Sequence, residues 1–147
     1  MKQIPNDVFF RWVESELAEG RSVRFRLKGQ SMFPLLRSGL DEVVLYPCTP
    51  DDFRMMDVVL FRYRGGHVLH RVIFRDGWWV YLRGDGTYVS EEECHMKDVV
   101  GVVREVIRSS GRRVRVDSWR WRLPSFLWCH LGMFRKPLLR VLHRLMR

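Results

Sequence analysis

Residues 57–82 read DVVLFRYRGGHVLHRVIFRDGWWVYL, and this stretch decides the fold class. Its three runs of apolar and aromatic residues have the composition of β-strands. These runs are residues 57–63, 67–74 and 78–82. Arg64-Gly65-Gly66 separates the first run from the second, and Asp76-Gly77, a dipeptide typical of hairpin turns, separates the second from the third. The stretch therefore predicts consecutive antiparallel strands.

The sequence on both sides extends this pattern into a mainly β domain. Residues 23–27 alternate between apolar and basic side chains, which predicts a half-buried strand. Further strands are predicted at residues 42–46, 99–107 and 113–116. Residues 6–19 instead repeat apolar side chains every three or four positions, which is typical of an amphipathic helix. We therefore expect an antiparallel meander preceded by an N-terminal helix, in a domain that covers residues 1–118.

The composition limits the class of protein. The chain has 147 residues, of which 46% are hydrophobic, and this is enough for one domain with a substantial core. The formal net charge of +9 is concentrated in residues 119–147, which carry seven of the 26 basic side chains and no acidic one. Residues 1–118 hold 19 basic and 17 acidic side chains, so the sequence does not favour nucleic-acid binding by the body of the protein.

The cysteines and the apolar runs indicate the compartment. Cys48, Cys94 and Cys129 form no Cys-x-x-Cys pair, so neither a disulfide framework nor a zinc site is indicated. The N-terminal residues are charged where a secretory signal would be apolar. The longest near-apolar run, residues 125–134, is shorter than the roughly 20 residues that cross a bilayer. We expect a cytoplasmic protein, or one bound peripherally to the inner face of the membrane.

Three side chains in distinct local settings are candidates for nucleophilic catalysis. Ser31 lies in a loop, Gly29–Pro34, that follows a predicted strand, and His70 lies on the second strand of the stretch at 57–82. Asp85 lies in a glycine-flanked turn after the next strand, and Glu91 competes with it for the same role. A hydroxyl, an imidazole base and an orienting carboxylate are the parts of an activated serine. Alternation along its strand places His70 on one face with Val72, where partial burial would favour the neutral base.

The residues around the serine are the candidate substrate-binding groups. Gly29 allows close approach of a peptide backbone, and Gln30 and Met32 flank the nucleophile. The backbone N–H of Ser31 is a candidate donor to a developing oxyanion. A serine in such a loop is more often only a turn residue, so the hypothesis depends on the three segments taken together.

At this point the chain resembles a known family, the signal peptidase and SOS-repressor class of serine peptidases (S24/S26). The segments that carry the resemblance occur in the order of the family: Gly29–Pro34, Asp57–Phe61, His70–Ile73, Gly84–Gly86 and Val99–Val103. The histidine, in place of the lysine of most bacterial members, is similar to the endoplasmic-reticulum and archaeal branch. The resemblance implies coiled antiparallel β-sheets, with Ser31 as nucleophile, His70 as base, and Asp85 or Glu91 as third member.

The resemblance also implies an activity. Members of this class are endopeptidases that cleave a leader or signal segment from a peptide or pre-protein, need no metal or other cofactor, and favour small residues before the cut. The sequence shows neither a membrane-spanning helix nor a DNA-binding domain, so we expect a small stand-alone peptidase. The alternative is a catalytically inactive module that binds peptides or serves as an adaptor at a membrane surface.

Residues 119–147 form a basic and apolar tail that is expected to be helical. Pro124 and Pro137 are each predicted to lie at the first position of a short helix. Basic amphipathic helices that contain tryptophan suit an anionic membrane surface. A pair of helices packed on the sheet, with arginines in water, explains the same pattern, and the sequence leaves both interpretations open.

Overall fold

A computed structural model describes residues 6–86, 91–131 and 135–145. Within these residues, three α-helices and eight β-strands follow one another. They are α1 (Asn6–Ala18), β1 (Val23–Arg26), β2 (Glu42–Tyr46), β3 (Val58–Tyr63), β4 (Gly66–Asp76), β5 (Trp79–Arg83), β6 (Glu92–His95), β7 (Val99–Ile107), β8 (Arg113–Arg115), α2 (Trp119–Cys129) and α3 (Arg135–Leu145). The prediction of a mainly β protein with an N-terminal helix and C-terminal helices is confirmed.

The strands form one antiparallel sheet in the order β1-β2-β7-β3-β4-β5-β6. The expected meander holds only from β3 to β6, because β7 returns from the far end of the chain and lies between β2 and β3. On one side β7 pairs with β2. On its other side, β7 pairs first with β3 and then, through Glu105–Ile107, with β8. β7 is therefore the strand that joins the two halves of the sheet.

Two hydrophobic clusters occupy opposite faces of the central strands. Val58 and Leu60 belong to a cluster that also contains residues of α1, β1, β2 and the segment between β1 and β2. Val59 and Phe61 point to the other face and join a cluster with β4, β5 and β6. All four side chains are at most 2% exposed, which explains why β3 reads as an uninterrupted apolar run.

The C-terminal helices pack on the body of the protein. Trp121 is 4% exposed and belongs to the first hydrophobic cluster, whereas Trp128 and Leu139 form a third cluster with Phe33. Within the described residues, no helix has both the length and the apolar character needed to span a bilayer.

Both prolines lie further into their helices than predicted, and Pro137 is the third residue of α3. Pro124 lies inside α2, five residues after its first residue, and does not begin a helix. A proline here leaves the carbonyl of Arg120 without its usual helical donor. Arg120 is exposed in the first turn, so water can reach that carbonyl and the helix continues through the proline.

Candidate active site

The serine lies in a loop that is anchored on both sides. After β1 the chain turns at Gly29, whose φ of +88° is easily adopted only by glycine and whose N–H donates to Ser38 Oγ at 2.9 Å. Met32 is 3% exposed and belongs to the first hydrophobic cluster. Its carbonyl accepts the N–H of Leu36 at 2.9 Å. Ser31 itself is exposed, so the loop holds a buried anchor directly next to an accessible hydroxyl.

The turn after β5 packs against this loop without room for a side chain at Gly84 or Gly86. The N–H of Gly86 donates to the Ser31 carbonyl at 2.8 Å. A Cβ at Gly86 would lie 2.3 Å from the carbonyl oxygen of Gln30. A Cβ at Gly84 would lie 2.4 Å from the Ser31 carbonyl oxygen and 2.9 Å from His70 Nε2. The Ser31 carbonyl oxygen and His70 Nε2 are therefore separated by no more than the sum of their two distances from this Cβ position. The ring of His70 thus lies beside the serine loop.

A substitution at Gly84 tests whether this turn packs against the serine loop. Gly84→Ala should lower the free energy of unfolding by about 1–3 kcal/mol, because the added methyl meets a backbone carbonyl that cannot move aside cheaply. Gly66→Ala is the matched control, since its nearest atom would lie at 3.8 Å and the change should stay within about 0.5 kcal/mol. Urea unfolding of both variants measures the difference. Equal stabilities would mean that the turn does not contact the serine loop as described.

His70 lies on β4 with its side chain enclosed by protein. The residue is 8% exposed, and its ring centroid lies 6.3 Å from that of Phe61. Burial lowers the pKa of His70 below its usual value of 6.5, because the charged imidazolium loses its water. The neighbouring carboxylates of Glu92 and Asp85 act in the opposite direction without reversing this shift. The ring is therefore a neutral base at pH 7.

The carboxylate that contacts His70 belongs to Glu92, which the sequence analysis did not identify. Its Oε1 is hydrogen-bonded to His70 Nδ1, and both side chains are 10% exposed. An ionised carboxylate can only accept, so Nδ1 carries the proton and Nε2, on the side of the serine loop, is left as an acceptor. Glu91, the candidate from sequence, lies on the surface with its side chain 54% exposed and 3.6 Å from Arg83.

The alternation of buried and exposed residues along β6 distinguishes Glu92 from Glu91. Along this strand Glu92 and Cys94 are buried and Glu93 is exposed. Alternation from an inward Cys94 selects Glu92 over Glu91. Sheet pairing leads to the same residue, because Glu92 lies opposite Leu82 and Leu82 lies opposite Val72, two residues from His70 on the same face.

The partner of Asp85 also differs from the predicted one, because its carboxylate binds Arg71 and not His70. Its two carboxylate oxygens accept from Arg71 Nε at 2.9 Å and Nη2 at 2.7 Å. Arg71 is completely buried, donates a further hydrogen bond to the Met56 carbonyl and lies over the ring of Trp121. The backbone carbonyl of Asp85 accepts from Trp128 Nε1 at 2.8 Å. Asp85 thus fixes the turn that supports the serine loop, and Glu92 takes the place expected for it beside His70.

The three candidate substrate-binding residues differ in accessibility. Gly29 and Gln30 are exposed, and the Gln30 carbonyl accepts the N–H of Phe33 at 3.0 Å. The side chain of Met32 is in the core, so it supports the loop and is not available for a contact with substrate.

The described residues thus bring a serine loop, a buried histidine and a glutamate together at one place. A scan against protein-family models found no family that matches the chain, and a search of curated proteins found no significant match.

Proposed function

We propose that the chain is a serine endopeptidase in which Ser31 is the nucleophile, His70 the general base and Glu92 the orienting carboxylate. One observation carries the proposal. A buried imidazole is held by a carboxylate at Nδ1 and has its Nε2 beside an exposed serine loop. A histidine that served only the core would not need a buried charged partner on one nitrogen and an accessible hydroxyl near the other.

The chemistry follows from these positions. Nε2 of His70 takes the proton as Ser31 Oγ attacks the scissile carbonyl, and the resulting imidazolium is stabilised by the Glu92 carboxylate. The imidazolium then gives its proton to the leaving amine. Water, activated by the same nitrogen, attacks the acyl ester, and the proton returns to Ser31 when the acid product leaves.

The backbone N–H of Ser31 is the proposed donor to the oxyanion. Within the described residues this N–H donates no hydrogen bond, whereas the Ser31 carbonyl accepts the N–H of Gly86. The Gln30 carbonyl belongs to the same peptide group as the Ser31 N–H and accepts the N–H of Phe33 at 3.0 Å, which fixes the plane of that peptide. The buried Met32 side chain anchors the loop in the core. A donor that is already in place when charge develops contributes to the rate because no reorganisation is required.

The proposed substrate is an extended peptide, such as a leader segment of a peptide or pre-protein. β1 is an edge strand of the described sheet and leads into the serine loop, so an extended chain could add beside it. Such a strand would bring its backbone to the exposed Ser31. Digestion of a library of leader-like peptides, with new termini found by mass spectrometry, tests the proposal. Binding of peptides without cleavage would favour the inactive adaptor.

The pH dependence of peptide cleavage tests whether His70 is the base. Because burial lowers the pKa of His70, activity should be constant through neutral pH and fall only below pH 6.5. The contribution of the neutral His70 ring to folding stability is likewise present above pH 6.5, and it is lost as the pH falls through the pKa of His70 in the folded state. The measurement is kcat/KM against pH. A midpoint at or above 6.5 would contradict a buried histidine base.

A further inference from the structure

The helix α2 has two apolar faces, and only one of them packs on the protein. Trp121, Ser125 and Trp128 are buried, at a spacing of three and four residues that defines one face. A second set of apolar residues lies on the opposite face, at 50–70% exposure: Trp119, Leu123, Phe126 and Leu127. At 100° per residue these four positions fall within about a third of the helix circumference. We call them the α2 outer stripe.

Arginines lie along both edges of the α2 outer stripe. Arg120 is on one side and Arg122 on the other, and both are exposed. No acidic residue occurs in residues 119–147. The stripe is therefore apolar along its middle and positively charged along its edges.

The helix α3 also has exposed apolar residues and exposed arginines. Leu138, Val141 and Leu145 are exposed beside the buried Leu139, whereas Arg140 and Arg144 lie on the other side of the helix. A helix with an apolar side and a basic side is suited to lie in the plane of a membrane interface.

We propose that the α2 outer stripe docks on an anionic lipid membrane. Leucine, phenylalanine and tryptophan at the centre of the stripe would enter the interface, while the flanking arginines meet acidic headgroups. A second copy of the chain fits this surface poorly, because a symmetric contact would bring arginines together without any acidic partner from the same segment.

The α2 outer stripe lies close to the serine loop, and this limits where a substrate could come from. Phe33, two residues after Ser31, packs with Trp128 and Leu139, and its ring stacks on that of His143 at 4.2 Å. Trp128 is on the face of α2 opposite the stripe, so a membrane on the stripe would lie about one helix diameter, 10–12 Å, from the serine loop. If the proposed peptidase activity holds, its substrates are chains presented at the membrane surface.

Flotation of the full-length protein with vesicles tests the docking and needs no catalytic activity. Vesicles of phosphatidylglycerol with phosphatidylcholine should bind the wild type at low salt, and vesicles of phosphatidylcholine alone should bind it far less. Leu123→Ser/Phe126→Ser and Arg120→Gln/Arg122→Gln should each weaken binding by about tenfold or more. Trp78→Ser/Phe74→Ser, at 65% and 52% exposure, is the apolar control, and Arg112→Gln/Arg113→Gln is the control for net charge.

Retention of binding in the two controls, with loss in the two stripe variants, supports the proposal. Absence of wild-type binding to the anionic vesicles would overturn it, as would equal losses in the stripe and control variants. A wild-type dimer in light scattering that the Leu123→Ser/Phe126→Ser variant fails to form would also overturn it, because the stripe would then be an interface between copies. Peptide cleavage is measured separately, so failure of the docking leaves the peptidase proposal standing.

Discussion

Ser31→Ala is expected to reduce peptide hydrolysis by a factor on the order of 10⁵ to 10⁶ in kcat, since loss of the nucleophile disables the whole unit of serine, histidine and carboxylate. The side chain is exposed and the change removes a single oxygen, so the fold should be unaffected. Cleavage of a peptide from the library, followed by mass spectrometry, gives the rate. Thermal unfolding shows whether the variant remains folded.

Ser38→Ala is the matched control, at a serine in the same segment between β1 and β2. Ser38 Oγ accepts the N–H of Gly29, so this variant loses a hydrogen bond of the loop but keeps the nucleophile. The lost bond is worth about 0.5–1.5 kcal/mol, and the rate should change far less than in Ser31→Ala. Equal rates for wild type and Ser31→Ala would exclude Ser31 as the nucleophile.

Glu92→Gln is expected to lower kcat by a factor on the order of 10⁴. The amide has nearly the shape of the carboxylate, but it cannot stabilise the imidazolium and can present a donor to Nδ1, which favours the wrong tautomer. Because the Glu92 carboxylate raises the pKa of His70, its loss should also move the acid limb of the residual activity to lower pH. Steady-state rates over a range of pH measure both effects.

Glu91→Gln separates the two adjacent glutamates. Glu91 is on the surface beside Arg83, and exposed pairs of this kind contribute little, so the variant should behave as wild type. A large loss in Glu91→Gln with little loss in Glu92→Gln would reverse the assignment. Small losses in both variants would leave His70 without an essential carboxylate.

Local patterns predicted most of the strands and the burial of His70. Alternation at residues 23–27 predicted β1, because successive side chains on a half-buried strand point to opposite faces, and a short apolar run predicted β2. Alternation also placed His70 on one face of its strand with Val72, and both residues are buried in the structure. The serine loop was marked by a glycine, which the structure shows at positive φ, and a neighbouring proline.

The carboxylate that contacts His70 could not be predicted, because this contact depends on the pairing between strands. No strand was predicted for Glu92–His95, and without it the buried and exposed glutamates could not be separated. Asp85 was the nearer carboxylate in sequence, but Arg71, on the opposite face of β4 from His70, binds it. A sequence pattern gives the face of a side chain and does not give its partner across the sheet.

The position of β7 in the sheet was missed for a related reason. A meander assumes that neighbours in sequence are neighbours in the sheet, which is the commoner arrangement. β7 instead inserts between β2 and β3, and its pairing joins segments that are more than 50 residues apart. Because Val102 and Val103 lie in different hydrophobic clusters, the strand is buried on both faces, and its apolar run contains no information on which strands flank it.

Binding of a peptide boronic acid that ends in alanine tests the central claim most directly, because boron forms a tetrahedral adduct with an activated serine oxygen. ¹¹B NMR should show the tetrahedral signal with wild type, no such signal with Ser31→Ala, and a weaker one with His70→Ala, in which the base is lost. A tetrahedral signal that persists in Ser31→Ala would contradict the account, as would its absence from a wild-type protein that cleaves the corresponding peptide.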